Sequence, residues 1–142
     1  MAANVNPIFT LLAAIQWIAG ISAANTNVDI SSGTSYLVFT ADATNGGFVR
    51  ELRVKYAPGN NTAATVMRVW LTNGNGPASA ADCTLIGELI IPATTASNTA
   101  AQTDLIYQLG FPLPPGYRIY VSLGTAIGGS GSLMACVLGG KY

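Results

Sequence analysis

The sequence contains no histidine. The commonest general base and zinc ligand is therefore missing. Charge is scarce as well: six basic and six acidic residues, 8% of the chain, cancel to a net charge of zero, where globular proteins carry roughly 25%. Nucleic-acid binding needs clustered cations to neutralise phosphates. The only local basic group is Arg50, Arg53 and Lys55, and Glu51 interrupts it. That pattern reads as a solvated strand face, and no nucleic-acid partner is expected. Two cysteines, Cys83 and Cys136, do not make a disulfide framework. Cys136 sits in the apolar stretch "SLMACVLGG", the setting of an inert thiol, with a single Cys83–Cys136 bridge as the alternative.

Residues 1–24 hold no Lys or Arg. The apolar stretch "NPIFTLLAAIQWIAGISAANT" (6–26) thus lacks the basic n-region of a secretory signal. It also falls short of the ~20 apolar residues of a membrane helix, with Gln16 near its middle. Neither a signal peptide nor a membrane partner is expected. The small residues of "ISAAN" keep signal cleavage open as the competing reading.

What the chain has in quantity is apolar and neutral-polar surface. Half of its 142 residues are hydrophobic, and Asn, Thr, Ser and Gln must supply the solubility. A neutral surface with few charges favours association. The length suits one domain, 1–142, able to bury a sizeable core, with an apolar arm or edge strand at 1–14.

The pattern along the chain is that of strands between turns at short spacing, as in an all-β sandwich or barrel of about eight strands. From Ile15 the odd positions Ile15, Trp17, Ala19 and Ile21 are apolar, while Gln16 and Ser22 hold the other register. An amphipathic helix over 8–19 is the rival there. "TSYLVFTA" (34–41) is rich in β-formers, and "NGG" (45–47) signals a hairpin-type turn. In "FVRELRVKY", Leu52, Val54 and Tyr56 face one way, with Glu51, Arg53 and Lys55 opposite. In "ATVMRVWLT", Met67, Val69 and Leu71 point inward and Arg68 outward, so Trp70 shares the outward face. The prolines of "FPLPPGYRIYVSLGT" force an extended edge or crossover. Tyr117, Ile119, Val121 and Leu123 then re-enter the core by twos.

No catalytic constellation emerges. The six acids fall on turns or on outward strand positions, and nothing signals the facing carboxylate pair of a glycosidase. Asp42 and Asp82 lie in Asn-containing loops without the alternating oxygen-ligand pattern of a calcium site. "GTAIGGSGS" (124–132) lacks the lysine of a phosphate loop and reads as a flexible hairpin. No enzyme activity, cofactor or metal is expected. Trp17 and Trp70 suggest either a sugar-stacking platform or a protein interface, and exposed tryptophan more often marks the latter. The candidate interface residues are Ile8, Phe9, Leu11, Leu12, Trp17, Trp70 and Met134.

"NPIF", "RVKY", "MRVWLTNG", "LIGELIIPATT" and "LPPGYRIYVSLGT", in that order along the chain, resemble small structural proteins of tailed-phage virions, in particular β-sandwich head decoration (cement) proteins. The resemblance implies a jelly-roll-like fold and homotrimers on the capsid surface. It further implies contacts with the major capsid protein or another virion protein, a shell-stabilising role, and no catalytic residues. A virion protein made in the host cytoplasm needs no signal peptide, which fits the uncharged start. A tail, baseplate or head-fibre protein facing a receptor is the alternative within the same class. A secreted carbohydrate-binding module is the alternative outside it.

Overall fold

The computed structural model describes residues 10–59, 61–128 and 131–142. Among the described residues eight strands form: β1 (Leu12–Ile21), β2 (Tyr36–Thr40), β3 (Gly47–Tyr56), β4 (Thr65–Thr72), β5 (Cys83–Ile91), β6 (Leu105–Leu113), β7 (Arg118–Leu123) and β8 (Leu133–Lys141). They pair antiparallel in two four-stranded sheets, ordered β1-β8-β3-β6 and β2-β7-β4-β5. Of the consecutive strand pairs, only β4 and β5 are neighbours in one sheet, and every other connection crosses between the layers. That interleaving is the jelly roll, two Greek keys wrapped into a sandwich.

Alternation builds the layers. Val49, Leu52, Val54 and Tyr56 of β3 meet Met67 and Val69 of β4, Ile119, Val121 and Leu123 of β7, and Leu133, Ala135 and Val137 of β8 in one core. The outward rows of β3 and β4 carry the charges, as their period of two requires. Arg68 reaches across to Glu88 on β5, 3.1 Å away. The prolines after Phe111 end β6 at a sheet edge and carry the chain over to β7 in the other sheet.

The "NGG" turn does not join a hairpin, because β2 and β3 lie in different sheets. Asp42 shapes this crossing: its carboxylate accepts from the backbone N–H of Thr44 and Asn45, each at 2.9 Å. Gly46 then takes φ +75°, a conformation in which a side chain is strained. β7 and β8, on either side of the 124–132 stretch, likewise lie in different sheets, and Ile127 is buried in the core, so the hairpin reading fails there too. At the far side of the sandwich Tyr107 of β6 lies over Gly87 of β5 and donates to the Ile86 carbonyl at 2.9 Å. Any Cβ at position 87 would collide with that ring.

Residues 12–21 are strand rather than helix, and the strand starts inside the segment expected to be an arm. Residues 1–9, with Ile8 and Phe9, lie outside the described residues. Among the described residues no helix is long and apolar enough to cross a membrane. The facing of β1 is the reverse of what its apolar odd row suggests. Ala14, Gln16 and Ile18 are the partly covered register, while Ile15 and Trp17 are exposed. A register shift between Ile18 and Ile21 then brings Ile21 into the core. Gln16 points inward because the backbone of β2 needs it. Its side chain donates to the Thr40 carbonyl (2.8 Å) and accepts from the Thr40 N–H (2.9 Å), joining the two sheets where they share no ladder.

Candidate interaction surface

The outward face of the β1-β8-β3-β6 sheet is built in cross-strand rows. Ile15, Leu138, Glu51 and Gln108 form one row, and Trp17, Cys136, Arg53 and Ile106 the next. Met134 and Lys55 begin a third. The β1–β8 half is thus apolar and the β3 stripe charged. Between Trp17 and Ile106 lies an open groove of about 370 Å³, whose lining includes Met134, Cys136, Lys55 and Asp104.

Glu51 is the best-held charge on this face. Although it takes the outward register, its side chain is only 7% exposed, packed where a carboxylate must find cations. Arg53 donates to it at 2.6 Å and Arg50 at 3.3 Å. Arg53 is the larger cause, with Arg50 adding to it, of a carboxyl held below the usual glutamate range, against the opposing effect of burial. Lys55 pairs with Asp104, whose carboxyl is lowered chiefly by that contact, and also donates to the Gln102 carbonyl at 3.1 Å. These pairs consume most of the local charge. The stripe therefore presents little free cation to a polyanion.

The cysteines are free and stand on opposite sheets. Burial pushes the Cys136 thiol up, away from the reactive thiolate. Asp82 is occupied by Asn73, Asn75 and Ser79, which all donate to it. Among the described residues no group of three or more His, Cys, Asp or Glu side chains is placed to hold a metal ion.

Of the candidate interface residues, Leu11 (70% exposed), Leu12 (63%) and Trp17 (73%) stand in solvent. Met134 is half-buried on the outer face of β8. Trp70 does not belong with them: it is only 5% exposed. Its outward register is as the alternation requires, but its indole N–H donates to the buried Ser122 hydroxyl at 2.9 Å. The segment after β1 is tied down at Arg68, which shares the outward register of Trp70 on β4. The Asn25 N–H donates to the Leu123 carbonyl, and Arg68 donates to the Asn25 carbonyl. Ile15, 54% exposed, is the large side chain of β1 that sequence reasoning left out of the interface list; Ile90 on β5 (76%) and Val28 (94%) are exposed elsewhere and were left out too. For Ile15, its place beside Trp17 in the odd row was the signal available.

The edges of the two sheets complete the site. An unpaired edge is a template for another strand, and proteins usually guard it with shortness, bulges, charge or proline. β2 has five residues and a register shift. β5 is shifted opposite Val69–Trp70 and carries Glu88. β6 carries Pro112 and a register shift. From Leu12 to Ile18, β1 has none of these devices: no charge, no proline, and unbroken register on β8.

The molecule is thus a jelly roll with large apolar side chains exposed along β1. No protein-family model matches the chain, and the curated proteins give no match. Among solved structures, it is similar to a chain of the cyanophage Pam1 capsid asymmetric unit, with a TM-score of 0.43 and 12% identity over 98% of this chain and 91% of that one.

Proposed function

We propose that the chain is a non-enzymatic structural subunit of a tailed-phage virion, a decoration (cement) protein that binds the outer capsid surface and stabilises the shell. The observation that carries the assembly role is the β1 edge, unguarded among the described residues and flanked by Leu11, Leu12, Ile15 and Trp17 in solvent. Complete burial of a side chain of this size gains roughly 1.5–3 kcal/mol, and each of these has more than half of its surface still to cover. A fold with a covered state available recovers that energy in an assembly. The virion placement is supported by the ordered strand resemblance described above. The near-neutral surface fits a scaffold held by many modest contacts that salt does not weaken. We take the subunit to act as a closed homo-oligomer, with the homotrimer implied by the resemblance as one form of it.

The test is to add the purified full chain to shells of the cognate major capsid protein that lack accessory proteins. Co-sedimentation with the shells and a higher shell-disruption temperature are expected. Failure to bind shells at tens of micromolar would reject the cement role, and binding to isolated tails instead would move the chain to the tail or fibre.

A further inference from the structure

We propose that β1 is a homotypic interface: two copies join edge to edge through antiparallel pairing of Leu12–Ile18, centred on Ile15, so that each β1-β8-β3-β6 sheet continues into the other. This rests on reading the chain as an assembly subunit, and it names the contact through which one copy holds the next.

Four observations lead there. First, the other three edges are guarded, so a ring built by pairing β1 with a different edge meets proline, a bulge or a carboxylate. A twofold contact needs only β1 itself, since isologous pairing uses the same patch on both copies. Second, residues 1–24 hold no Lys, Arg, Asp or Glu. Self-pairing therefore brings no like charges together, which is what normally forbids it.

Third, the regular part of β1 defines its own register. Pairing on β8 is continuous from Leu12 to Ile18 and then shifts. The twofold that uses all of this segment passes through Ile15. It sets Ala13 opposite Trp17, Ala14 opposite Gln16 and Leu12 opposite Ile18, with Ile15 facing its own copy. Two of these pairs match a small side chain with a large one, and Leu12 gains an apolar partner.

Fourth, the tryptophan finds a berth. Ala13 lies in a row with Gly140 and Phe48. Beside it is an open groove of about 330 Å³, lined by Thr10, Ala13, Ile15, Phe48, Arg50, Leu138 and the bare backbone of Gly139 and Gly140. In the proposed register Trp17 of one copy stands next to Ala13 of the other, at the mouth of this groove. The same contact, repeated by symmetry, would cover both tryptophans.

The experiment uses the full chain in solution, without shells, so its failure and the failure of shell binding can be told apart. Light scattering at micromolar concentration should give twice the 14.6 kDa of one copy. Ile15→Lys places two cations face to face on the axis and should return the single-copy mass with an unchanged far-ultraviolet circular dichroism spectrum. In a Cys83→Ser, Cys136→Ser background, Ile15→Cys should form an interchain disulfide under mild oxidation, and Ala13→Cys should not. A monomeric or trimeric wild-type chain would overturn the proposal. So would an Ile15→Lys variant that keeps the dimer mass, or cross-linking through position 13 in place of 15.

Discussion

Trp17 and Trp70 stand on the outward faces of opposite sheets, yet one is 73% exposed and the other 5%. The difference lies in what the chain does next to each. Beside Trp70 it supplies a buried hydroxyl from Ser122. Ile30, in the segment between β1 and β2, is also buried, although it and Trp70 lie outside the main core cluster. Beside Trp17 the described residues supply the flat neighbours of its own sheet, Cys136 and Arg53. Trp70 is covered by its own chain, although Ile90 on the neighbouring β5 is 76% exposed. Trp17 is left in solvent, at the margin where β1 ends its sheet.

The sharpest way to break this comparison is to truncate the covered tryptophan. Trp70→Ala removes a buried ring and strands the Ser122 hydroxyl, and large-to-small changes of this kind cost about 3–5 kcal/mol. Thermal unfolding should drop by roughly 10 °C or more in a chain of this size. A drop of only a few degrees would mean that the ring is not held as its burial and its bond to Ser122 require.

Gln16→Ala comes next. It deletes both side-chain bonds to the Thr40 backbone and so unfastens β1 from β2 where no ladder joins the sheets. Leaving a partly covered peptide group unpaired costs about 1–3 kcal/mol. Denaturant midpoints would register it, and Gln16→Glu should fare no better, because a carboxylate cannot donate to the Thr40 carbonyl.

These two residues also mark where the sequence stops being informative. β3 and β7 are legible because their two registers differ in kind, apolar against charged or polar, so the period of two fixes both the strand and its facing. β1 is legible as a strand only. Both of its registers are apolar enough to face inward, and the decision falls to a hydrogen-bonding need at Thr40 that lies 24 residues away. The outward register of Trp70 follows from alternation with Val69, but its burial and its indole bond to Ser122, on another strand, do not. Turn chemistry fails similarly: Asp42 and Gly46 make the same local bend whether the strands they join are neighbours or lie in different layers. Glu51, expected among the exposed acids, is covered by the arginines on either side of it in sequence.

The charged half of the open face has its own signature in acid. Arg53 chiefly, and Arg50, hold the Glu51 carboxyl below its ordinary value of 4.5. A group whose pKa is depressed by folding adds stability that is fully present above the unfolded value and is lost as pH falls through the folded one. Stability measured against pH should therefore decline below about 4.5 more steeply in the wild-type chain than in Glu51→Gln. The other lowered carboxylates, Asp29, Asp42, Asp82 and Asp104, stay in both proteins, so the difference between the curves isolates Glu51. Superimposable curves would show that the arginines leave Glu51 when solvent reaches them.

The smallest effect on stability should come from repeating the first substitution at the other tryptophan. Trp17 makes no side-chain hydrogen bond in the described contacts and stands largely in water, with its ring on the outward row of an edge strand. Removing it takes little away from the folded copy, and surface changes of this kind usually fall within ±0.5 kcal/mol. Alanine at an edge position has lower β-propensity, which biases the small change towards destabilisation. The measurement must be made where association does not contribute, at low concentration or in the Ile15→Lys background. Otherwise, mass action adds the stability of the assembly to that of the copy. There, Trp17→Ala should unfold within about 2 °C of its parent. A loss comparable to that at Trp70 would mean that the ring is covered within a single copy, and the contrast between the two tryptophans would fail.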